Sequence, residues 1–406
     1  MNPRLASLQP YPFEKLSALI KHTIPDRKQT PLALSIGEPQ HDAPAFVREE
    51  TMAHLDTLSS YPTTRGSEPL RRTIAGWLSR RFGLKGIDPE RHVLCASGTR
   101  EALFSVVQAA VDSAATQRPI VMLPNPFYQI YEGAALLAGA EPYYVNASAD
   151  TGYRMDFRAI PQTVWQRTRL VFVCTPGNPT GAVFSQQDLI ELIDLAEHYD
   201  FLIASDECYS EIYFEESSPP PGLLQAAETH GVDDFRRCVV FHSLSKRSNL
   251  PGLRSGFIAG DGSFLSSFHA YRTYHGAAMS SLAQALSVRA WSDEAHVREN
   301  RALYRKKFAD AIDVLGPAMD VRRPDAGFYL WLATGVDDQS FTRELYEQEN
   351  VLVLPGSFLS RDAHGTNPGH GRVRVALVAP PNDCLEATQR IARYVASLGN
   401  RRAPWI

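Results

Sequence analysis

Between about residue 90 and residue 260, short apolar runs alternate with longer stretches of helical periodicity. Most of these runs are rich in Val, Ile, Phe or Leu and end at Gly, Pro, Ser or Asp. Strands buried on both faces of a parallel sheet have this continuous apolar character. The pattern predicts an α/β domain of three layers, in which helices cover both faces of a mostly parallel, seven-stranded sheet. The predicted strands are residues 92–96, 120–123, 142–145, 170–174, 201–205, 239–242 and 257–259.

One of the intervening helices has a clear signal at its start. Ser185 followed by Asp188 matches a capping box, in which each side chain bonds the backbone amide of the other residue. We therefore predict that a helix begins after Ser185. Its expected apolar stripe consists of Leu189, Leu192, Ile193 and Ala196.

After about residue 290 the pattern changes. We predict a large domain over residues 49–290 and a smaller α+β domain over 291–406. Residues 1–48 are predicted to form an N-terminal arm and part of the small domain. The helix-like stretches of the small domain are 293–315 and 383–398, and its strand-like runs are 327–332, 351–354 and 373–378.

Composition narrows the class of protein. The chain has 406 residues, with 41 basic and 45 acidic side chains and a formal net charge of −4. A hydrophobic fraction of 44% and a charged fraction of 21% exclude a disordered chain. The slightly acidic balance gives no reason to expect a nucleic-acid partner. No apolar run could span a bilayer and no signal peptide is visible, so we expect a cytoplasmic protein with no membrane partner.

The cysteines argue against a disulfide framework or a metal site. Their number is odd, their positions are scattered, and no C-x-x-C motif occurs. We expect free thiols in a reducing compartment and no bound metal. The five are Cys95, Cys174, Cys208, Cys238 and Cys384.

The most informative segment follows the predicted strand at 239–242. There Ser243, Ser245 and Arg254 offer two hydroxyls and a planar cation, the groups that bind a phosphate monoester. Lys246 lies among them, where its amine could form a Schiff base with a phosphate-bearing aldehyde. Considered alone, Lys246 is more simply explained as a solvated lysine on a polar loop.

Polar turns also follow two neighbouring strands. Asp206 could hold a protonated pyridine nitrogen, as carboxylates do in sites for pyridoxal phosphate (PLP), and Tyr209 could bond the phenolic oxygen of that ring. A helix N-cap is an equally good explanation for Asp206 considered alone. The rigid turn at 175–181 could present Asn178 to the same ring oxygen, or it could be a plain connection.

A fourth polar turn, Ser97-Gly98-Thr99-Arg100, leads into an apolar helix predicted over 101–111. Free amides at a helix start form an anion site, although the turn could equally be a cap without a ligand. Together the four turns supply an amine, an acid, an amide and a phosphate cradle. They lie at strand carboxyl ends, where open α/β sheets bind ligands. Chance agreement of all four is improbable.

At this point the sequence resembles a known family, the PLP-dependent aminotransferases of fold type I, in the aspartate aminotransferase-like class. The likeness is closest to the N-succinyldiaminopimelate aminotransferases of bacterial lysine biosynthesis. The resemblance implies PLP as cofactor and the two-domain fold of that class. The matching blocks are ASGTREALF (96–104), PNPFYQIYEGA (124–134), TPGNPTG (175–181), SDECYSEIYF (205–214), SLSKRSNLPGLRSG (243–256) and GRVRVALVA (371–379).

The resemblance implies cofactor roles for particular residues. Lys246 would carry PLP covalently and act as general base and acid, and Asp206 would pair with the ring nitrogen. Asn178 and Tyr209 would bond the ring oxygen, and Tyr128 would stack on the ring. The remaining cofactor residues, which would hold the phosphate, are Gly98, Thr99, Arg100, Ser243, Ser245 and Arg254.

The resemblance also implies how substrate and a second subunit take part. Arg374 would bind the substrate α-carboxylate, with Gly37 beside it and Asn178 nearby, although Arg374 alone could be a surface residue on an edge strand. Tyr61 would reach the phosphate of a neighbouring subunit, which implies a homodimer with shared active sites. The second substrate carboxylate needs another cation, for which Arg27, Arg65 and Arg100 are candidates.

The expected reaction converts N-succinyl-LL-2,6-diaminopimelate and 2-oxoglutarate to N-succinyl-2-amino-6-oxopimelate and glutamate. Three alternatives stay open. The same enzyme class could use another donor, such as aspartate, alanine or acetylornithine. The fold could serve a PLP-dependent C–S lyase. A non-catalytic PLP-fold sensor is the third alternative, and it predicts a degraded site or an attached DNA-binding segment.

Overall fold

The computed structural model describes residues 1–401, with an ordered core of strands between helices. In chain order the strands of this part are β1 (Leu32–Ala33), β2 (Val93–Ala96), β3 (Ile120–Asn125), β4 (Glu141–Asn146), β5 (Thr168–Cys174), β6 (Leu202–Asp206), β7 (Cys238–Ser243), β8 (Gly256–Gly260), β9 (Tyr329–Ala333), β10 (Val351–Leu352), β11 (Leu354–Pro355) and β12 (Arg372–Ala376). The helices are α1 (Pro12–Ile20), α2 (Phe46–Ala53), α3 (Glu68–Phe82), α4 (Thr99–Ala110), α5 (Ile130–Leu137), α6 (Gln162–Trp165), α7 (Gln186–Tyr199), α8 (Leu223–His230), α9 (Leu244–Arg247), α10 (Gly262–His275), α11 (Ser281–Ser292), α12 (Ala295–Leu315), α13 (Asp338–Glu349) and α14 (Pro381–Arg401).

Seven of the strands form one large sheet in the order β2-β8-β7-β6-β5-β3-β4. Neighbouring strands are parallel except for β8, which runs antiparallel to both β2 and β7. The predicted mostly parallel sheet of seven strands is therefore confirmed. The parallel strands bring the ends of β5, β6 and β7 to the same edge, which is where the polar turns follow them.

Side chains of the large sheet alternate between two separate hydrophobic cores, one on each face. On β5, Val171 and Val173 belong to one core, while Leu170 and Phe172 belong to the other. Helices cover both faces, so the central strand positions need apolar side chains on both sides of the sheet. This explains why the sequence shows continuous apolar runs instead of alternation.

Helix α7 confirms the capping prediction. The Asp188 amide donates to Ser185 Oγ at 3.1 Å, and the Ser185 amide donates to Asp188 Oδ2 at 2.8 Å. The predicted apolar stripe of this helix is buried. The capping box therefore fixes the helix start, and the stripe fixes the face that packs on the sheet.

A third hydrophobic core joins the two ends of the chain. Leu32 and Leu34 pack there with residues of β9, β12 and α14. The predicted single strand at 351–354 is wrong. Its first half, β10, pairs in parallel with β1, and its second half, β11, pairs with β12 in an antiparallel sheet of order β11-β12-β9. The predicted domain boundaries near residues 48 and 290 stay predictions.

Within the described residues, no helix combines the length and the apolar character needed to cross a membrane.

Candidate active site

A cavity of about 440 Å³ opens at the carboxyl ends of the parallel strands. Asp206, at the end of β6, and Ser243, at the end of β7, form part of its wall. The small sheet contributes Tyr329 from β9 and Arg374 from β12. N-terminal residues complete the wall with the segments 11–13 and 36–38. The cavity is therefore built by both ends of the chain around one edge of the large sheet.

Lys246 lies on α9, one turn beyond β7, and lines the cavity. Its Nζ donates to the carbonyl oxygen of Gly37 at 2.5 Å. Burial lowers the pKa of this amine to about 8, and the nearby guanidinium groups of Arg374 and Arg254 act in the same direction as burial. A neutral amine is the nucleophilic form, so the site favours the form that attacks an aldehyde. Lys246 is not the solvated loop lysine of the simpler explanation.

Asp206 is only 4% exposed and accepts two hydrogen bonds. Tyr131 donates its hydroxyl to Oδ2 at 2.6 Å, and the Cys208 amide donates to Oδ1 at 3.2 Å. Burial raises the pKa of the carboxyl group, and the bond from Tyr131 opposes that rise. The alternative explanation, a helix N-cap, accounts for only one of the two carboxylate oxygens. Oδ1 accepts from the backbone of the turn that follows β6, but no helix begins there.

All but one of the residues predicted to hold the phosphate line the cavity, and the exception is Gly98. Thr99 begins α4, whose first amides have no partner within the helix. Ser243 and Ser245 lie on the same wall, and Arg254 adopts a left-handed backbone conformation with φ 54°. Gly98, with φ 81°, stands behind Arg254, and a Cβ at that position would collide with its guanidinium. The glycine therefore lets the cation approach the start of the helix.

Arg374 is buried on the middle strand of the small sheet, which excludes the alternative of a surface arginine on an edge strand. Its Nη1 donates to Asn178 Oδ1 at 2.9 Å and its Nη2 donates to the Ser35 carbonyl oxygen at 2.7 Å. The guanidinium also lies 4.5 Å from the ring centre of Tyr329. These contacts hold it in one orientation.

Two tyrosines connect the walls of the cavity. The hydroxyl oxygens of Tyr209 and Tyr329 lie 3.1 Å apart. Gly37 faces the same pair, since a Cβ on Gly37 would collide with the Tyr329 hydroxyl. Any larger residue at position 37 would therefore push Tyr329 away from Tyr209.

Tyr128 and Arg100 form a pair on the cavity wall. Arg100 Nε donates to the Tyr128 hydroxyl at 2.7 Å. The sequence predicts two roles for Arg100, its backbone amide at the phosphate and its side chain as a candidate for the second carboxylate, and the side chain has this additional contact. Stacking of Tyr128 on a cofactor ring stays a prediction.

The structure does not bring every predicted residue into the cavity. Tyr61 is fully exposed in the single chain and lies outside it. Of the three arginines named for a second carboxylate, Arg100 lines the cavity, whereas Arg27 and Arg65 do not.

Several lining residues carried no predicted role. Tyr11 and Glu38 come from the N-terminal segments, and Tyr329 comes from β9. Tyr131, on α5, also had no predicted role; it does not line the cavity but bonds Asp206, which does. Cys208 also lines the cavity, with its Sγ 3.2 Å from Thr99 Oγ1. The only sequence signal for Tyr131 was its place in the block PNPFYQIYEGA, because an aromatic residue in a helix usually serves packing.

Comparison with known proteins identifies the family. The family described as aminotransferase class I and II matches residues 29–391. The LL-diaminopimelate aminotransferase of Desulforudis audaxviator is 30% identical over 397 residues, which cover 96% of each chain. A crystal structure of an aminotransferase from Neisseria meningitidis Z2491 has 46% identity and a TM-score of 0.93, covering 97% of this chain and 99% of that one. A probable N-succinyldiaminopimelate aminotransferase from Thermus thermophilus has 26% identity and a TM-score of 0.83, covering 94% and 100%.

The fold and the matched family together define the class of protein. The chain belongs to the aminotransferase class I and II family, and it is a PLP-dependent aminotransferase of fold type I. This confirms the resemblance and the cofactor that the sequence predicted.

The residues of the cavity fit this cofactor. Asp206 is a buried carboxylate that takes part in no ion pair among the described side chains. A protonated ring nitrogen would supply the missing positive charge, because a buried carboxylate is stabilised by an opposite charge. Lys246 would hold the aldehyde carbon, and the start of α4 with Ser243, Ser245 and Arg254 would hold the phosphate.

Proposed function

We propose that the chain transfers an amino group from N-succinyl-LL-2,6-diaminopimelate to 2-oxoglutarate, giving N-succinyl-2-amino-6-oxopimelate and glutamate. One observation carries the proposal of transamination. A single cavity is lined by the amine of Lys246, the buried carboxylate of Asp206 and the buried guanidinium of Arg374. These are the groups needed for proton transfer, for charge on the ring nitrogen and for a substrate carboxylate.

Each residue then has a defined task. Bound PLP supplies an electron sink for the bond that breaks at the substrate α-carbon. Lys246 Nζ would take the proton from that carbon and return a proton later in the half-reaction, since its lowered pKa suits both steps near neutral pH. Asp206 would keep the ring nitrogen protonated, and Tyr131 holds the carboxylate in place.

Arg374 orients the substrate. Its fork suits a carboxylate bound through two parallel hydrogen bonds. Asn178 and the Ser35 carbonyl oxygen already fix the plane of the guanidinium, so little conformational entropy is lost when the substrate binds. Because the donor and the acceptor acid both carry an α-carboxylate, one arginine serves both half-reactions.

A second candidate donor is LL-diaminopimelate without the succinyl group. The names of the curated relatives at 30% identity favour it, while the named Thermus relative favours the succinylated donor. The two donors differ in their remote amine, which is charged in one and is a neutral amide in the other.

A panel of donors tests the substrate. The purified PLP-loaded protein is mixed in turn with succinyl-LL-diaminopimelate, LL-diaminopimelate, aspartate, alanine and acetylornithine, and the change in cofactor absorbance gives the rate of each first half-reaction. We expect the highest kcat/KM for the succinylated donor. A higher kcat/KM for another donor would show that this donor, and not the succinylated one, is the substrate. Release of pyruvate and ammonia from a thioether amino acid such as cystathionine, tested alongside the panel without an oxo acid, would establish a lyase, and no spectral change with any donor would favour a sensor.

We also propose that the active unit is a homodimer in which Tyr61 of one subunit reaches the other subunit's cavity. Tyr61 is fully exposed in the single chain, and Met52, Leu55 and Leu58 shortly before it are exposed apolar residues. Mixing inactive Lys246→Ala protein with impaired Tyr61→Ala protein should restore part of the activity, because a mixed dimer has one intact site. Absence of any recovery after subunit exchange would contradict shared sites.

A further inference from the structure

One cation of the cavity has no task in the mechanism above. Among the described residues, the basic side chains that line the cavity are Arg100, Lys246, Arg254 and Arg374. Lys246 is assigned to the cofactor aldehyde, Arg254 to the phosphate and Arg374 to the α-carboxylate. The side chain of Arg100 is left over, and glutamate and 2-oxoglutarate, the two dicarboxylic acids of the proposed reaction, each have one carboxylate that is also left over.

The contacts of Arg100 leave both terminal nitrogens of its guanidinium group available. Its Nε donates to Tyr128, and no hydrogen bond or ion pair in the described part of the chain uses its Nη1 or Nη2. Arg254 differs, because its Nη1 donates to the Pro251 carbonyl oxygen at 2.9 Å. Arg374 differs too, since each of its terminal nitrogens already donates one of its two hydrogens to the protein and keeps only the other for a substrate. Arg100 therefore has two terminal nitrogens available to a ligand.

The hydrogen bond to Tyr128 fixes the orientation of the Arg100 guanidinium group. A hydrogen bond at Nε restrains the plane of a guanidinium without occupying its outer edge. Tyr11, from the N-terminal arm, lies beside both Tyr128 and Arg100 and lines the same cavity. The arm thus forms part of the cavity wall beside an arginine that is already oriented.

We infer that Arg100 binds the remote carboxylate of the dicarboxylic amino and oxo acids, and that Tyr128 is the residue that positions it. This inference rests on the proposed function, because it assigns the second carboxylate of those substrates. A bidentate arginine can serve both the short acid 2-oxoglutarate and a longer donor if the chain of the donor folds within the cavity. Arg100 is exposed, so its interaction is screened by solvent and should be weaker than that of buried Arg374.

The test compares acids with and without the remote carboxylate. In Arg100→Gln, kcat/KM for 2-oxoglutarate should fall about 10- to 100-fold, while kcat/KM for 2-oxobutanoate should change less than about threefold. Arg100→Lys should recover part of the preference, and Tyr128→Phe should lose part of it through KM. The charge-matched control is Arg298→Gln, which removes an exposed arginine outside the cavity and should leave the preference unchanged.

A binding measurement separates this inference from the proposed reaction. Titration calorimetry with glutarate and butyrate, using the PLP-loaded protein, should show a loss of affinity in Arg100→Gln for glutarate only. If no diacid donor reacts but glutarate still binds through Arg100, the proposed function fails and this inference stands. Equal losses for both acids, no loss for either, or the same loss in Arg298→Gln would each overturn the inference.

Discussion

The two halves of the cavity are built in different ways. The strand-end half, which consists of Thr99, Asn178, Asp206, Ser243 and Lys246, comes from turns that directly follow strands of one sheet. The crossing half, which consists of Tyr11, Gly37, Tyr329 and Arg374, comes from chain segments that are distant in sequence. The first half would hold the cofactor, and the second would hold the substrate.

This difference predicts which kinetic property a substitution in each half of the cavity should change. The strand-end half is fixed by the sheet, so its side chains keep their places as long as the two large cores are intact. The crossing half depends on contacts such as that between Arg374 and the Ser35 carbonyl oxygen. We therefore expect variants of the strand-end half to lower kcat or cofactor affinity, and variants of the crossing half to raise KM.

The largest effect is expected for Lys246→Ala. Without the amine, nothing in the strand-end half can move the α-proton, so transamination should fall at least about 10⁴-fold. The control is Lys307→Met, which removes another buried lysine whose pKa burial lowers to about 8, but which lies outside the cavity. Stopped-flow absorbance with glutamate measures both variants. Full turnover by Lys246→Ala would refute its role.

A loss of about 10²- to 10³-fold is expected for Arg374→Ala, because two charge-assisted hydrogen bonds to the substrate disappear. The loss should be in KM, and it should affect the amino donor and 2-oxoglutarate alike. Steady-state kinetics with each substrate varied in turn provides the measurement. A variant with near-normal KM values would remove Arg374 from the site.

A smaller effect, about tenfold, is expected for Tyr131→Phe. The change deletes the hydroxyl that donates to Asp206 Oδ2 and keeps the ring that stacks on Phe172 at 4.4 Å. The carboxylate should lose part of its stabilisation, so PLP should bind less tightly and its pH-dependent absorbance should shift. Equilibrium dialysis and a spectral pH titration measure the two changes. Unchanged values in both would show that Tyr131 serves packing only.

The smallest effect concerns pH and the free amine of Lys246. Because its pKa is lowered from 10.5 to about 8, the reactive neutral form grows as pH rises through 8 and not through 10.5. The rate at which PLP-free protein takes up PLP should therefore rise about fivefold from pH 7 to pH 8 and level off by about pH 9. Absorbance at a series of pH values follows the uptake. A midpoint near 10 would mean that the amine is not buried in the PLP-free protein.

The sequence allowed the large sheet and the strand-end half to be predicted, for the same reason. Continuous apolar runs mark strands that are covered on both faces, and the polar residues that end each run must meet at one edge. Lys246, Asp206 and Asn178 could be named because each directly follows such a run. Tyr131 could not, since it lies within a helix and its hydroxyl meets Asp206 only in the folded chain.

The crossing half could be predicted only in part, because its pairings have no local pattern. The two-residue strand β1 exists only because it pairs with β10, and the run at 351–354 splits because its halves have different partners. Arg374 was named through family resemblance, whereas Tyr11 and Tyr329 gave no signal. Contacts between distant segments determine where these residues lie, and the sequence pattern within one segment cannot reveal such contacts.

The bond between Arg374 and the Ser35 carbonyl oxygen joins positions 339 residues apart, and this has a consequence for biosynthesis. A ribosome releases the N-terminal segment first, and the segment then waits for nearly the whole chain before its partner emerges. Leu32 and Leu34, which are buried in the finished protein, stay uncovered throughout that interval. A nascent chain that stops before β12 would carry Lys246 and Asp206 but lack Arg374, so the residue proposed to bind the substrate is among the last parts of the cavity that the growing molecule acquires.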